Sequence, residues 1–91
     1  MEVREVSRVL GVSEEELVEK GVRAYLENEL RRINAEINII LTRYDVSSFS
    51  ELDDKITNGD ISETNSFEDY TRLDYLESQR EKIEKVLSAD S

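Results

Sequence analysis

Apolar residues recur along this chain at steps of three and four, the interval of one face of an α-helix. Val3, Val6, Val9 and Leu10 read as a short helix over about residues 2–10. Gly11 closes it, because glycine takes the left-handed conformation without a Cβ clash. Ser13-Glu14-Glu15-Glu16 then predicts a new helix start: the serine hydroxyl accepts an orphan amide and Glu16 reaches back to the cap. Three acids in that first turn also suit the positive end of the helix dipole. From Ser13 no stop signal appears until about Asp45. Leu26, Leu30, Ile33, Ile37, Ile40 and Tyr44 follow one another at heptad steps, a coiled-coil seam that requires a second helix against it. Gly21 weakens this run by about 1 kcal/mol relative to alanine. A helix over residues 13–44 is roughly 48 Å long at 1.5 Å per residue.

Asp45-Val46-Ser47-Ser48 interrupts the pattern. Ser48-Phe49-Ser50-Glu51 is a second capping box, and Phe49, Leu52 and Ile56 predict a short connecting helix over about 48–58. It stops at Asn58-Gly59. Residues 60–65 (DISETN) read as a polar loop anchored by Ile61. Ser66-Phe67-Glu68-Asp69 is expected to open the last helix, with Phe67, Tyr70, Leu73, Leu76, Ile83 and Leu87 as its apolar face and fraying over Ser88–Ser91. Arg80 falls on that seam, where a polar residue sets register or reaches an acid on the neighbouring helix.

The economical assembly is all-α: a single domain over residues 1–91, with a long antiparallel hairpin pairing about 13–44 with about 66–88. Its core comprises Leu30, Ile33, Ile37, Ile40, Tyr44, Leu73, Leu76, Ile83 and Leu87, with Tyr44 stapling the turn and the hairpin proper covering 26–88. A last helix of at most about 34 Å is too short to cover the long one. Residues 1–25 therefore form a helix corner whose apolar side chains want company. Val6, Val9, Leu10, Leu17, Val18, Val22, Tyr25 and Leu26 are the expected contacts to a second copy or another partner.

Composition decides whether such a chain folds. The 91 residues carry 12 Lys and Arg against 22 Asp and Glu, a net charge of −10, yet Leu, Ile, Val and Phe together make 26 residues. That share exceeds the ~20% below which a highly charged chain stays disordered, and the chain has no proline to break a helix. Residues 1–44 hold nine acids and seven bases, so the second half carries −8 of the charge. Such a surface repels nucleic acid and anionic membrane and draws basic partners. No apolar run approaches the ~20 residues of a membrane span, and the first ten residues lack the apolar core of a secretion signal; a cytoplasmic location is expected.

The chain has no Cys and no His, which removes zinc fingers, thiol nucleophiles and Ser-His-Asp relays. Two acid pairs, Glu16-x-x-Glu19 and Glu51-x-x-Asp54, imitate the ExxE…ExxD pattern with which MazG-type nucleotide pyrophosphohydrolases hold Mg²⁺. Both sit in first helical turns, where acids complement the dipole, and spacings of this kind recur at Glu2/Glu5 and Glu81/Glu84. The Leu10-Gly11-Val12-Ser13 corner resembles a helix-turn-helix, but the following turn would drive Glu14, Glu15 and Glu16 toward phosphates. No catalytic, cofactor or metal residue is expected.

Two family resemblances bear on function. Residues 11–26, GVSEEELVEKGVRAYL, look like the second-helix region of ribbon-helix-helix antitoxins, where such a helix builds the dimer core. The basic strand with which that family enters DNA is absent. The remainder, from Tyr44-Asp45-Val46-Ser47-Ser48-Phe49 through Phe67-Glu68-Asp69-Tyr70 to Leu87, resembles small archaeal-type helical proteins, some encoded beside toxin-like partners. Together they imply an antitoxin-like, non-enzymatic interaction protein, homodimeric, whose acidic hairpin meets a basic toxin. A small DNA-binding regulator is the second reading and a MazG-type enzyme the third.

Overall fold

The computed structural model describes residues 1–89; Asp90 and Ser91, half of the segment expected to fray, lie outside the described residues. Four helices account for the chain order: α1 (Val3–Leu10), α2 (Glu14–Arg43), α3 (Phe49–Thr57) and α4 (Glu63–Ala89). No strand occurs among the described residues. The fold is the expected all-α hairpin, with α4 against α2, α1 against the start of α2 and α3 against α4. Cross-helix pairs show the antiparallel sense, because numbers rise on α2 as they fall on α4. Asn34 meets Arg80 at 3.2 Å, Glu36 meets Arg72 at 2.7 Å, and Asp69 meets Arg43 at 2.8 Å.

Helix boundaries follow local chemistry. Gly11 closes α1 at φ 71°, its amide donating to the Ser7 carbonyl. The Ser13 hydroxyl caps α2, accepting from the Glu16 amide at 3.0 Å. The reciprocal arm of the expected capping box is not made, because the Glu16 carboxylate turns along the helix to Lys20 at 2.8 Å. At α3 the Ser48 hydroxyl accepts from the Glu51 amide at 3.1 Å, and the Glu51 carboxylate reaches past the cap to the Ser47 amide and hydroxyl. α2 runs unbroken through Gly21, about 45 Å of helix for 30 residues. Ser13→Ala is expected to lower stability by about 1 kcal/mol, read as a shift in the urea midpoint without loss of helical signal at rest.

The start of α4 corrects the sequence reading. It begins at Glu63, three residues before the expected Ser66, because the Ser62 hydroxyl accepts from the Asn65 amide at 3.2 Å and takes the cap. Ser66 is instead an interior residue, only 1% exposed, whose hydroxyl donates back to the Ser62 carbonyl at 2.7 Å. Asp69 does not complete a cap; it binds Arg43 and Tyr44. Phe67, expected on the core face, is 64% exposed. The earlier start also lengthens α4, to about 40 Å over 27 residues, and its last turns lie across an open groove from Glu19 and Val22 of α2.

The buried core occupies only the turn end of the hairpin. It comprises Ile33, Ile37 and Ile40 from α2, Val46 from the connection, Leu52 from α3, and Leu73 and Leu76 from α4. Tyr44, Phe49, Ile56, Ile61, Tyr70 and Ile83 pack against it half-buried, so Ile61 anchors its loop as expected. The Phe49 and Tyr70 rings lie 4.9 Å apart, tilted by 37°. Of the expected core, Leu30 and Leu87 are half-buried as well. Arg80 reaches across the seam to Asn34 rather than to an acid, and its acidic partners, Glu77 and Glu84, lie on its own helix. The molecule measures 60 × 25 × 16 Å, a bar whose two ends differ in chemistry.

Candidate interaction surfaces

The open end of the bar is built by α1, the first turns of α2 and the last turns of α4. None of the residues of α1 is buried, and an eight-residue helix is marginal on its own in water. It is tied to the chain by the Ser7 hydroxyl, which donates to the Val12 carbonyl, and by Arg4 beside Glu14 at 3.6 Å. The expected contact residues divide. Val6, Leu17 and Leu26 are half-buried in the packing of the chain itself, whereas Val9, Leu10, Val18, Val22 and Tyr25 stand exposed by 49–73%.

Two shallow apolar clefts take up part of this surface, Val22 and Leu26 in one and Val18 in the other. Val22 and Leu26 of α2 face Val86 and Leu87 of α4 across an open groove. Val3 and Val18 line a second, floored by the stems of Glu14, Glu15 and Glu19. Val86, 55% exposed, belongs to this surface and was missed by the sequence reading, although it stands three residues beyond Ile83 at a helical step. Charge here is locally balanced by Glu16–Lys20 and Arg23–Glu27 pairs along α2.

The closed end differs in charge. Residues 48–70 contain seven acids and one base. Asp69 is the acid among them that ties α4 back to the end of α2. It accepts from the Tyr44 hydroxyl at 2.6 Å and from Arg43 at 2.8 Å, and these two donors, Tyr44 foremost, hold its carboxyl below the usual range. The same bond raises the Tyr44 phenol. A carboxylate with a depressed folded pKa contributes stability above its unfolded value and loses it as pH falls through the folded one. Asp69→Asn is therefore expected to cost about 1 kcal/mol at pH 7, the gap to wild type closing as pH drops below about 4, in urea melts run across pH.

The acid pairs that imitate a metal site are engaged elsewhere. Glu16 holds Lys20 and Glu51 holds Ser47, and nearly the length of α2 separates them. Among the described residues no group of three or more acids is placed to hold a metal ion. Glu14, Glu15 and Glu16 form the first turn of α2 at the helix corner, where a DNA reader needs cations. No helix among the described residues is long and apolar enough to cross a membrane.

Comparison with known proteins gives a family. Residues 1–89 match the Uncharacterized protein MJ0235 family. The chain belongs to that family. A relative, "Uncharacterized protein MJ0235" of Methanocaldococcus jannaschii, is 34% identical over 73 residues, which cover 80% of this chain and 89% of the relative. The family match extends across the hairpin and both of its ends, and this relative is archaeal, as the resemblance of residues 44–87 implied. No solved structure matches the chain.

Proposed function

We propose that the protein is a non-enzymatic protein–protein interaction module that pairs with a second copy through its open end and presents its acidic closed end to a basic partner. The carrying observation is the concentration of exposed apolar side chains at the open end: Val3, Val9, Leu10, Val18, Val22, Tyr25 and Val86. An excess of exposed apolar side chains at one end of a chain favours contact with other protein. A second copy suits the open end because residues 1–44 carry only −2 of the charge, with acids and bases paired along α2. Two acidic molecules meet there with the least repulsion.

The finer form of this proposal is an antitoxin. The net charge of −10 complements a basic toxin, and residues 11–26 resemble the dimer-building helix of ribbon-helix-helix antitoxins. Its test is growth of a bacterial host expressing the neighbouring open reading frame, alone and with this chain; relief of arrest is expected, and a harmless neighbour overturns the antitoxin form.

Self-pairing is tested separately by light-scattering mass. The wild-type chain is expected at twice 10.6 kDa at high micromolar concentration, and Val22→Asp at 10.6 kDa with its helical signal intact. A wild-type chain that keeps its single-chain mass across that range overturns the pairing.

A further inference from the structure

Between α3 and α4, at the closed end, lies an open groove of about 320 Å³ lined by Asp53, Ile56, Thr57, Glu63, Phe67 and Tyr70, with the buried Ser66 at its base. Its wall is set by the helical phase of α4. Ser66 lies seven residues, about two turns, before the buried Leu73 and shares its core-facing stripe, while Phe67, one residue on, is turned outward and 64% exposed. Phe67 stands beside the half-buried Ile56 and Tyr70, so an aromatic and aliphatic wall is left open to water. The Tyr70 hydroxyl donates to Asp53 at 3.0 Å, fixing one carboxylate on the rim.

The rim has an uncompensated field. Residues 48–70 carry seven acids and one lysine, a local net of −6. Among the described residues, Asp53, Asp54, Asp60, Glu63 and Glu68 make no ion pair, and Arg43 is taken up by Asp69. Lys55 is half-buried and directs its amine to the Asp45 carbonyl, at 3.5 Å. A second copy seated here would bring −6 against −6, and nucleic acid or an anionic bilayer would be repelled for the same reason. An apolar floor inside an acidic rim matches a ligand of the converse pattern.

We infer that the α3–α4 groove is a docking site for a basic polypeptide segment of the partner, with a large apolar side chain seated against Phe67, Ile56 and Tyr70 and flanking Lys or Arg meeting Asp53 and Glu63. The inference rests on the interaction-module reading and gives its acidic end a site. Steering by the field speeds encounter, while the apolar anchor supplies the part of the affinity that salt does not screen.

The test uses fluorescence anisotropy of the full chain with two labelled probes, an amphipathic Leu/Lys helical peptide and an oligolysine of equal charge. The Leu/Lys peptide is expected to bind more tightly than oligolysine at physiological salt. Phe67→Ala is expected to weaken it about tenfold and to leave oligolysine unchanged. Asp53→Asn with Glu63→Gln is expected to weaken both. Phe67 and the two acids are exposed, so these variants keep the fold, and Val22→Asp at the other end is expected to bind as wild type. Equal affinity for the two probes, indifference to Phe67→Ala, or no binding of the Leu/Lys peptide overturns the site. Each of these results can stand beside a chain that doubles its mass through Val22, so loss of the groove and loss of self-pairing are read apart.

Discussion

Ile37→Asp is expected to leave the chain unfolded at neutral pH and room temperature. Ile37 is 2% exposed and sits at the centre of the seam, between Ile33 and Ile40 on its own helix and packed in one core with Leu73 and Leu76. A carboxylate there has no partner, and burying an unpaired charge costs several kcal/mol or more. A domain of this length has a total stability of roughly 5–13 kcal/mol, and the small core places this one toward the low end. Far-UV circular dichroism reads the result: the helical signal should fall to that of a coil at pH 7. Acidification that neutralises the new carboxyl should restore part of it, whereas Ile39→Asp, at a 60% exposed position two residues away, should fold as wild type. A helical Ile37→Asp chain at pH 7 contradicts the core described above.

Leu52→Ala is the second large effect. Leu52 is fully buried and is the buried residue of α3, a nine-residue helix that would not persist unsupported. Truncating a fully buried leucine costs about 2–5 kcal/mol, depending on how far the site collapses. The loss should reach beyond α3, because Val46 and the half-buried Ile56 and Ile61 share the same cluster. Urea unfolding gives the magnitude, and amide exchange gives the location: faster exchange in α3 and in the first turns of α4, with little change at the start of α2. Leu87→Ala, half-buried at the open end, should cost much less, since its surroundings are already open to water. A Leu52→Ala chain with unchanged midpoint would mean that α3 docks through contacts other than this side chain.

The parts of the fold that were legible are those where periodicity and packing agree. The heptad steps from Leu26 to Tyr44 identify the seam because burial there is one-sided and regular: Ile33, Ile37 and Ile40 are all 4% exposed or less. The start of α4 was misread for a physical reason. Two serines, Ser62 and Ser66, stand one helical turn apart, and both have the composition of a cap. The structure uses the first, so Ser66 is an interior residue whose hydroxyl donates to the Ser62 carbonyl, two turns before Leu73 on the core face, and Phe67 beside it points outward. Val46 carries no periodic signal because it is buried from a turn; Asp45 before it adopts φ 54°, a conformation that reverses the chain and tucks the valine inward. The open-end residues were recognisable as surplus apolar side chains, and the groove between α2 and the end of α4 shows that Val86 joins them. The α3–α4 groove was not legible, since it depends on how α3 docks against α4.

The bar shape has a consequence for handling this protein in solution. Its radius of gyration is 18.8 Å, where a compact chain of the same length would have about 12 Å and a compact chain of about 280 residues would be needed to match it. A single copy therefore drags through solvent like a much heavier globule and elutes early from a sizing column, well ahead of calibration standards of equal mass. An early peak is the signature of one long hairpin as much as of two short ones, and stoichiometry has to be weighed rather than timed.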